Sequence, residues 1–343
     1  MSGERDWEAP GPYDLGGGVH RIPLPMPAGG LRSVNVYAVL LDTGVLMVDA
    51  GWATDESEAE LARALAELGA GIGDIRRFAI THAHRDHYSL AVRLRDRLGI
   101  PASVGIGEQA NLLALRTTTA AERAARVGAR LARTGAVEIA AEIGTRVRYR
   151  DSDLIEYGAN PDQWLDGGEV LDGGLLAIPT PGHTHGHVVY HAPDRGLLFS
   201  GDHLLPRITP SIVSEPAPAE WPLRDYLDSL MLVRALPDAM LLPAHGPVTT
   251  SVHARVDELL QHHEDRLVEA LAAVAAGAST AFEAAVGMRW TSGHRRHDEL
   301  EAPAAGMAVL ETGAHLDLLA LRGELIREVY SDAVHYRLGD RNG

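Results

Sequence analysis

Residues 81–88 read Thr81-His82-Ala83-His84-Arg85-Asp86-His87-Tyr88, and the rest of the chain is best read outward from them. Three histidines and an aspartate fall within six residues, as H-x-H-x-D-H. Neutral imidazole and carboxylate are the donors that zinc, iron and manganese accept. The preceding residues, Ile75 to Ile80, are apolar and β-branched enough for a buried strand. The motif is therefore expected in the loop leaving a strand, where side chains can converge on one point.

Four more motifs follow the same logic. They are Asp49-Ala50-Gly51, Thr180-Pro181-Gly182-His183-Thr184, Ser200-Gly201-Asp202-His203 and Pro243-Ala244-His245-Gly246. With residues 81–88, and in this order, they resemble the signature of the metallo-β-lactamase superfamily over about residues 18–250. The resemblance implies an α/β protein with an αββα sandwich. It implies that His82, His84 and His183 hold one metal, that Asp86, His87 and His245 hold a second, and that Asp202 bridges them. Zinc is the expected ion, with iron or manganese as alternatives. Two such ions lower the pKa of a shared water, giving hydroxide near neutral pH, and polarise a carbonyl. Asp86 and Asp202 are the expected catalytic carboxylates, Asp86 as a proton carrier. The family pattern uses only His183 of its loop, so His185 and His187 read as supporting or core residues. Asp49 is expected to brace the metal loop. Tyr88, His203 and Arg207 are candidates for substrate contact, although His203 could equally only pack.

Composition narrows the chemistry. The 343 residues contain no cysteine and no lysine. Thiol nucleophiles, disulfides, iron–sulfur ligation and Schiff-base lysines are thereby excluded. The formal net charge of −16 disfavours phosphate backbones as partners. No run of eighteen apolar residues is present, so no membrane span is expected. The polar, Gly- and Pro-rich start does not resemble a signal peptide, which reads as cytoplasmic.

Along the chain, strands are expected at 19–24, 34–41, 45–48, 75–80 and 102–106, with helices at 54–68 and 90–98. Residues 108–165 form a helical insertion with Leu112, Leu113, Leu115 and Leu131 on a common stripe, ending in a loop at 149–166. It is either a packing helix pair or a wall over the metals. Strands are expected again at 169–180, 188–191, 197–200 and 239–242. A loop with five prolines spans Pro206 to Pro222, and helices span 223–236 and 252–275. The metallo-β-lactamase-like domain is taken as 18–250. Residues 251–343 supply the long helix and a small unit of helices at 280–286 and 307–322 before a hairpin around Ser331-Asp332. That unit resembles a winged helix and the tail of the β-lactamase-like protein 2 branch. Its residues 278–343 hold seven Arg against ten Asp and Glu, so a structural or homodimer-forming role fits better than nucleic-acid binding. His253, His262, His263, His294, His297, His315 and His335 read as surface, packing or hinge residues.

The functional expectation is a metal-dependent hydrolase of a small acyl substrate, whether thioester, ester or lactone, free or on an acyl carrier. A glyoxalase II-like thioesterase is one form. The alternatives are an endoribonuclease, a persulfide dioxygenase with one iron, and a non-catalytic binding module.

Overall fold

The computed structural model describes residues 6–27, 31–146, 158–290, 293–330 and 333–339. Seven strands form the first sheet in chain order: β1 (Tyr13–Asp14), β2 (Val19–Pro25), β3 (Ser33–Leu41), β4 (Gly44–Val48), β5 (Ile75–Ala79), β6 (Ala102–Gly105) and β7 (Gln163–Leu165). The first four pair antiparallel; from β4 to β7 pairing is parallel. The second sheet has the order β12-β11-β10-β9-β8, from β8 (Val170–Leu171), β9 (Leu175–Pro179), β10 (Val188–Ala192), β11 (Leu197–Gly201) and β12 (Met240–Pro243).

Alternation along each strand builds four layers. On β4, Leu46 and Val48 meet Tyr190 and Phe199 of the other sheet, while Val45 and Met47 face outward. The outward residues pack under α1 (Asp55–Glu67), α2 (Arg85–Leu98) and α3 (Gln109–Thr117). On the second sheet, Val189, Leu198 and Leu241 point away from the sandwich. They are covered by α6 (Pro222–Arg234) and α7 (Val252–Ala275). Successive side chains of a strand alternate faces, so two faces buried at once need near-continuous apolar runs. This is the αββα sandwich. Local signals agree with it: Thr54 caps α1 by accepting from the Ser57 N–H, and Gly99 ends α2 at φ 74°.

The insertion divides between two cores. Leu112 and Leu115 of α3 are buried beside Tyr88, while Leu113 is half exposed. Leu131 lies in the other core, so the four leucines form no common stripe. Helices α4 (Ala120–Arg133) and α5 (Val137–Arg146) pack on each other and on α9 (Ala302–Leu321). A Cβ on Gly306 of α9 would stand 2.8 Å from Ile143 of α5. Leu112→Ala is therefore expected to cost stability, about 2–5 kcal/mol. The urea midpoint should fall while KM changes equally for short and long substrates. A selective rise in KM for long substrates would return Leu112 to the binding surface.

Between α7 and α9 lies α8 (Ala281–Gly287), and a hairpin of β13 (Leu325–Val329) and β14 (Val334–Leu338) follows. The hairpin turn at Ser331-Asp332 lies outside the described residues. Helix α9 has the length and apolar composition of a membrane span, but more than half of it is buried within the fold. Its residues share one core with α6, α7 and β13. His263 and His315 stack at 5.3 Å in this core and are not surface residues.

Candidate metal centre

Strand ends position every ligand candidate. Thr81 to His84 follow β5, His183 lies between β9 and β10, Asp202 follows β11, and His245 follows β12. Helix α2 begins within the motif: His84 is its N-cap, and Asp86 and His87 stand in its first turn. The expected open loop is thus half a helix, and its first turn swings Asp86 and His87 toward a second point.

Two groups of donor atoms result. His82, His84, His183 and Asp202 each offer an atom within 4.8 Å of the others, and so do Asp86, His87 and His245. Asp202 faces both groups. Its Oδ2 is 3.5 Å from His183 Nε2, and its Oδ1 is 3.5 Å from His245 Nε2 and 3.6 Å from His87 Nε2.

The outer nitrogen of each ring reveals which nitrogen faces inward. His183 Nδ1 donates to the Ser211 carbonyl at 2.6 Å, and His245 Nδ1 to the Ser33 carbonyl at 2.9 Å. His87 Nδ1 donates to Asp49 Oδ2 at 2.8 Å. His82 Nδ1 donates to Thr81 Oγ1 at 3.1 Å, and that hydroxyl donates to Asp49 in turn. All four rings therefore turn Nε2 inward, and His84 turns Nδ1. Such outer partners fix the tautomer of a metal-binding histidine.

These inward atoms fit a cation better than they fit each other. His183 Nε2 lies 3.2 Å from His82 Nε2 and 3.1 Å from His84 Nδ1. Burial holds the His82 imidazole well below its ordinary range and pulls His84 and His183 down to about 4. Three neutral rings then bring lone pairs together. In the second group, His87 Nε2, His245 Nε2 and Asp202 Oδ1 are buried with no hydrogen-bond partner. Buried polar atoms left without partners are rare in native proteins, and a bound ion is one resolution. Burial lowers His87, but the Asp86, Asp49 and Asp202 carboxylates outweigh it and push the ring up to about 10. Burial raises Asp86, yet His87 and His245 hold it well below the carboxylate range.

Asp49 braces the centre as expected. Its carboxylate also accepts the Thr81 N–H at 2.8 Å, and its backbone stands in the left-handed region at φ 59°. Gly201, at φ 50°, is obligatory by contact: a Cβ there would sit 2.6 Å from Thr81 Oγ1 and 2.7 Å from His187 Nε2. His187 is buried and receives the Asp202 N–H on Nε2 at 3.2 Å, so it supports the bridge position. The His185 ring is exposed, not core, and its backbone N–H donates to Glu215 Oε1 at 2.6 Å.

The three candidates for substrate contact part company. Tyr88 is fully buried, with its hydroxyl on the Ala159 carbonyl, so it has no surface to offer a ligand. His203 is buried against the rings of Tyr226 and His187, at 5.3 and 6.0 Å, and burial pulls it down to about 3. Arg207 and Ile208 line a cavity of about 510 Å³ that includes His245. They also line an adjoining one of about 760 Å³ against α7 and α9.

Sequence reading missed a buried polar cluster beside the centre. Glu108, Asn111 and Glu215 come from the α3 turn and the proline-rich loop, and all three are buried. Burial raises the Glu108 carboxyl and pushes Glu215 up to about 7. No local spacing announces residues that lie a hundred positions apart.

Comparison with known proteins agrees with this geometry. The chain is 24% identical over 306 residues to a Bacillus subtilis protein named Probable metallo-hydrolase YqjP, covering 87% of this chain and 90% of that one. The crystal structure of a metallo-beta-lactamase family protein from Thermus thermophilus superposes with a TM-score of 0.74 at 27% identity, over 95% of this chain and 100% of that one. An atrochrysone carboxyl ACP thioesterase of Aspergillus fumigatus is 33% identical over 100 residues, 28% of this chain and 22% of that one. A beta-lactamase-like protein 2 homologue of Caenorhabditis elegans and a hydroxyacylglutathione hydrolase of Aeromonas salmonicida also match, each over less than a third of either chain. The model of the Metallo-beta-lactamase superfamily matches residues 29–245, from just before β3 to the last histidine of the centre. A match of that extent, on a sandwich whose strand ends carry the donor atoms, means that this chain belongs to the metallo-beta-lactamase superfamily.

Proposed function

We propose that this protein hydrolyses a small acyl substrate, a thioester, ester or lactone, with two metal ions, zinc by preference. The observation that carries this reading is the convergence of seven donor side chains, as two adjoining groups, on one buried centre. His82, His84 and His183 would hold one ion, Asp86, His87 and His245 the other, and Asp202 would touch both. When bound, such ions lower the pKa of a water and polarise a carbonyl oxygen. The protein's own part is to orient and to carry protons. Asp86 is the carboxylate placed to take and return a proton, with its Oδ2 3.3 Å from His245 Nε2. Arg207 and Ile208 line the approach to His245, where a substrate's leaving group or acyl chain would lie.

An acyl substrate fits better than RNA. The net charge is −16, and RNA affinity rests on basic residues and released counterions. A relative with thioesterase in its name supports the same class. Purified protein is expected to hydrolyse members of a thioester and lactone panel at physiological salt and to leave single-stranded RNA intact. Metal-dependent RNA cleavage that disappears in an Asp202→Ala variant, without acyl hydrolysis, would reverse this assignment.

A further inference from the structure

We propose that Glu108, Asn111 and Glu215 form a buried clamp that positions the loops carrying His82, His84 and His183 and thereby sets the affinity of that site for its ion. The inference rests on the metal-binding reading above. Two bonds of the clamp land beside proposed ligands. Thr184, next to His183, donates its hydroxyl to Glu108 Oε1. The backbone N–H of Ala83, between His82 and His84, donates to the same carboxylate. The Asn111 amide donates to Glu108 Oε2 at 2.9 Å and to Glu215 Oε1 at 2.5 Å. Glu215 Oε1 also takes the His185 N–H, and Asn111 Oδ1 takes the Ala217 N–H at 3.1 Å. One carboxylate thus ties both histidine loops, and the second ties the His183 loop to the proline-rich segment.

The backbone is built for the same contact. A Cβ on Gly186 would lie 2.1 Å from Glu108 N, and one on Gly107 would lie 2.5 Å from the His185 carbonyl oxygen. Glycines on both segments let the chains touch directly, which brings Glu108 within reach of Thr184. From α4, Arg130 stands close enough to Glu215 for their charges to interact. Burying two carboxylates is costly, and a well-packed apolar cluster would fill the space more cheaply. A polar clamp is explained by what it holds: partners that orient metal ligands typically account for roughly 10–100-fold in metal affinity.

The test is cobalt(II) binding to metal-free protein, read by visible absorption and by competition with a chromophoric chelator. A His245→Ala background isolates the His82, His84, His183 site, and a His183→Ala background isolates the other. Glu108→Gln puts an N–H against donors, and Thr184→Val removes one donor with little change of volume. Each is expected to weaken cobalt binding by roughly 10–100-fold in the first background. Each should also shift the absorption bands there and leave the second background unchanged. Thr184→Val carries the test if Glu108→Gln does not fold, as judged by circular dichroism. Equal loss in both backgrounds, or no loss in the first, overturns the clamp alone. Absence of cobalt binding by the unaltered protein overturns both the clamp and the proposed function.

Discussion

Asp202→Ala is expected to remove turnover while leaving the protein folded. The carboxylate faces both sets of donors, at 3.5–3.6 Å from His183, His245 and His87. Its loss should cost more than the roughly 100-fold that removal of an outer partner of a metal ligand typically costs. The fold does not depend on it. The two sheets are held by apolar cores on three levels, and the Asp202 backbone N–H keeps its bond to His187 whatever the side chain. Far-ultraviolet circular dichroism should match the unaltered protein while hydrolysis falls to background. A variant that keeps most of its activity would show that Asp202 is not the bridge.

Protein purified without chelator is expected to hold close to two equivalents of metal, mainly zinc. Removing the metal should abolish activity, and zinc should restore it. Metal loss should also lower the melting temperature, because an ion that binds only the folded state stabilises it by about 4 kcal/mol at a thousandfold excess over Kd. The apo centre has additional reason to be less stable: His87 Nε2, His245 Nε2 and Asp202 Oδ1 are buried without hydrogen bonds. Elemental analysis and calorimetry of matched apo and reconstituted samples test both statements. One tightly held iron with no second ion would exclude the two-metal reading.

Much of this was legible in the chain because the candidate ligands fall at or just after strand ends. His82, His84, Asp86 and His87 lie within six residues, and Asp202 and His245 each follow a short apolar run. What escaped was set by partners distant in sequence. β7 is three residues long and exists because β6 offers it a parallel edge. The run 169–180 reads as one strand, but Gly173 at φ 75° turns the chain back so that β8 pairs with β9. Tyr88 follows the motif in sequence, yet the helix that starts at Arg85 rotates it into the core. The Glu108 cluster depends on the course of loops, which no periodicity encodes.

The packing of α4 and α5 on α9 bears on how the chain acquires its shape during synthesis. Leu131, Ala136 and Ala140 share a core with Val309 and Leu316, far later in the chain. The ribosome delivers residues in order, and long-range contacts must wait for their partners. All five histidines of the centre are therefore made while the faces of α4 and α5 still lack their cover. A nascent chain halted after His245 would carry all seven candidate ligands and expose that apolar surface, a state that invites aggregation or chaperone capture. Completion of α9 is the event that seals it.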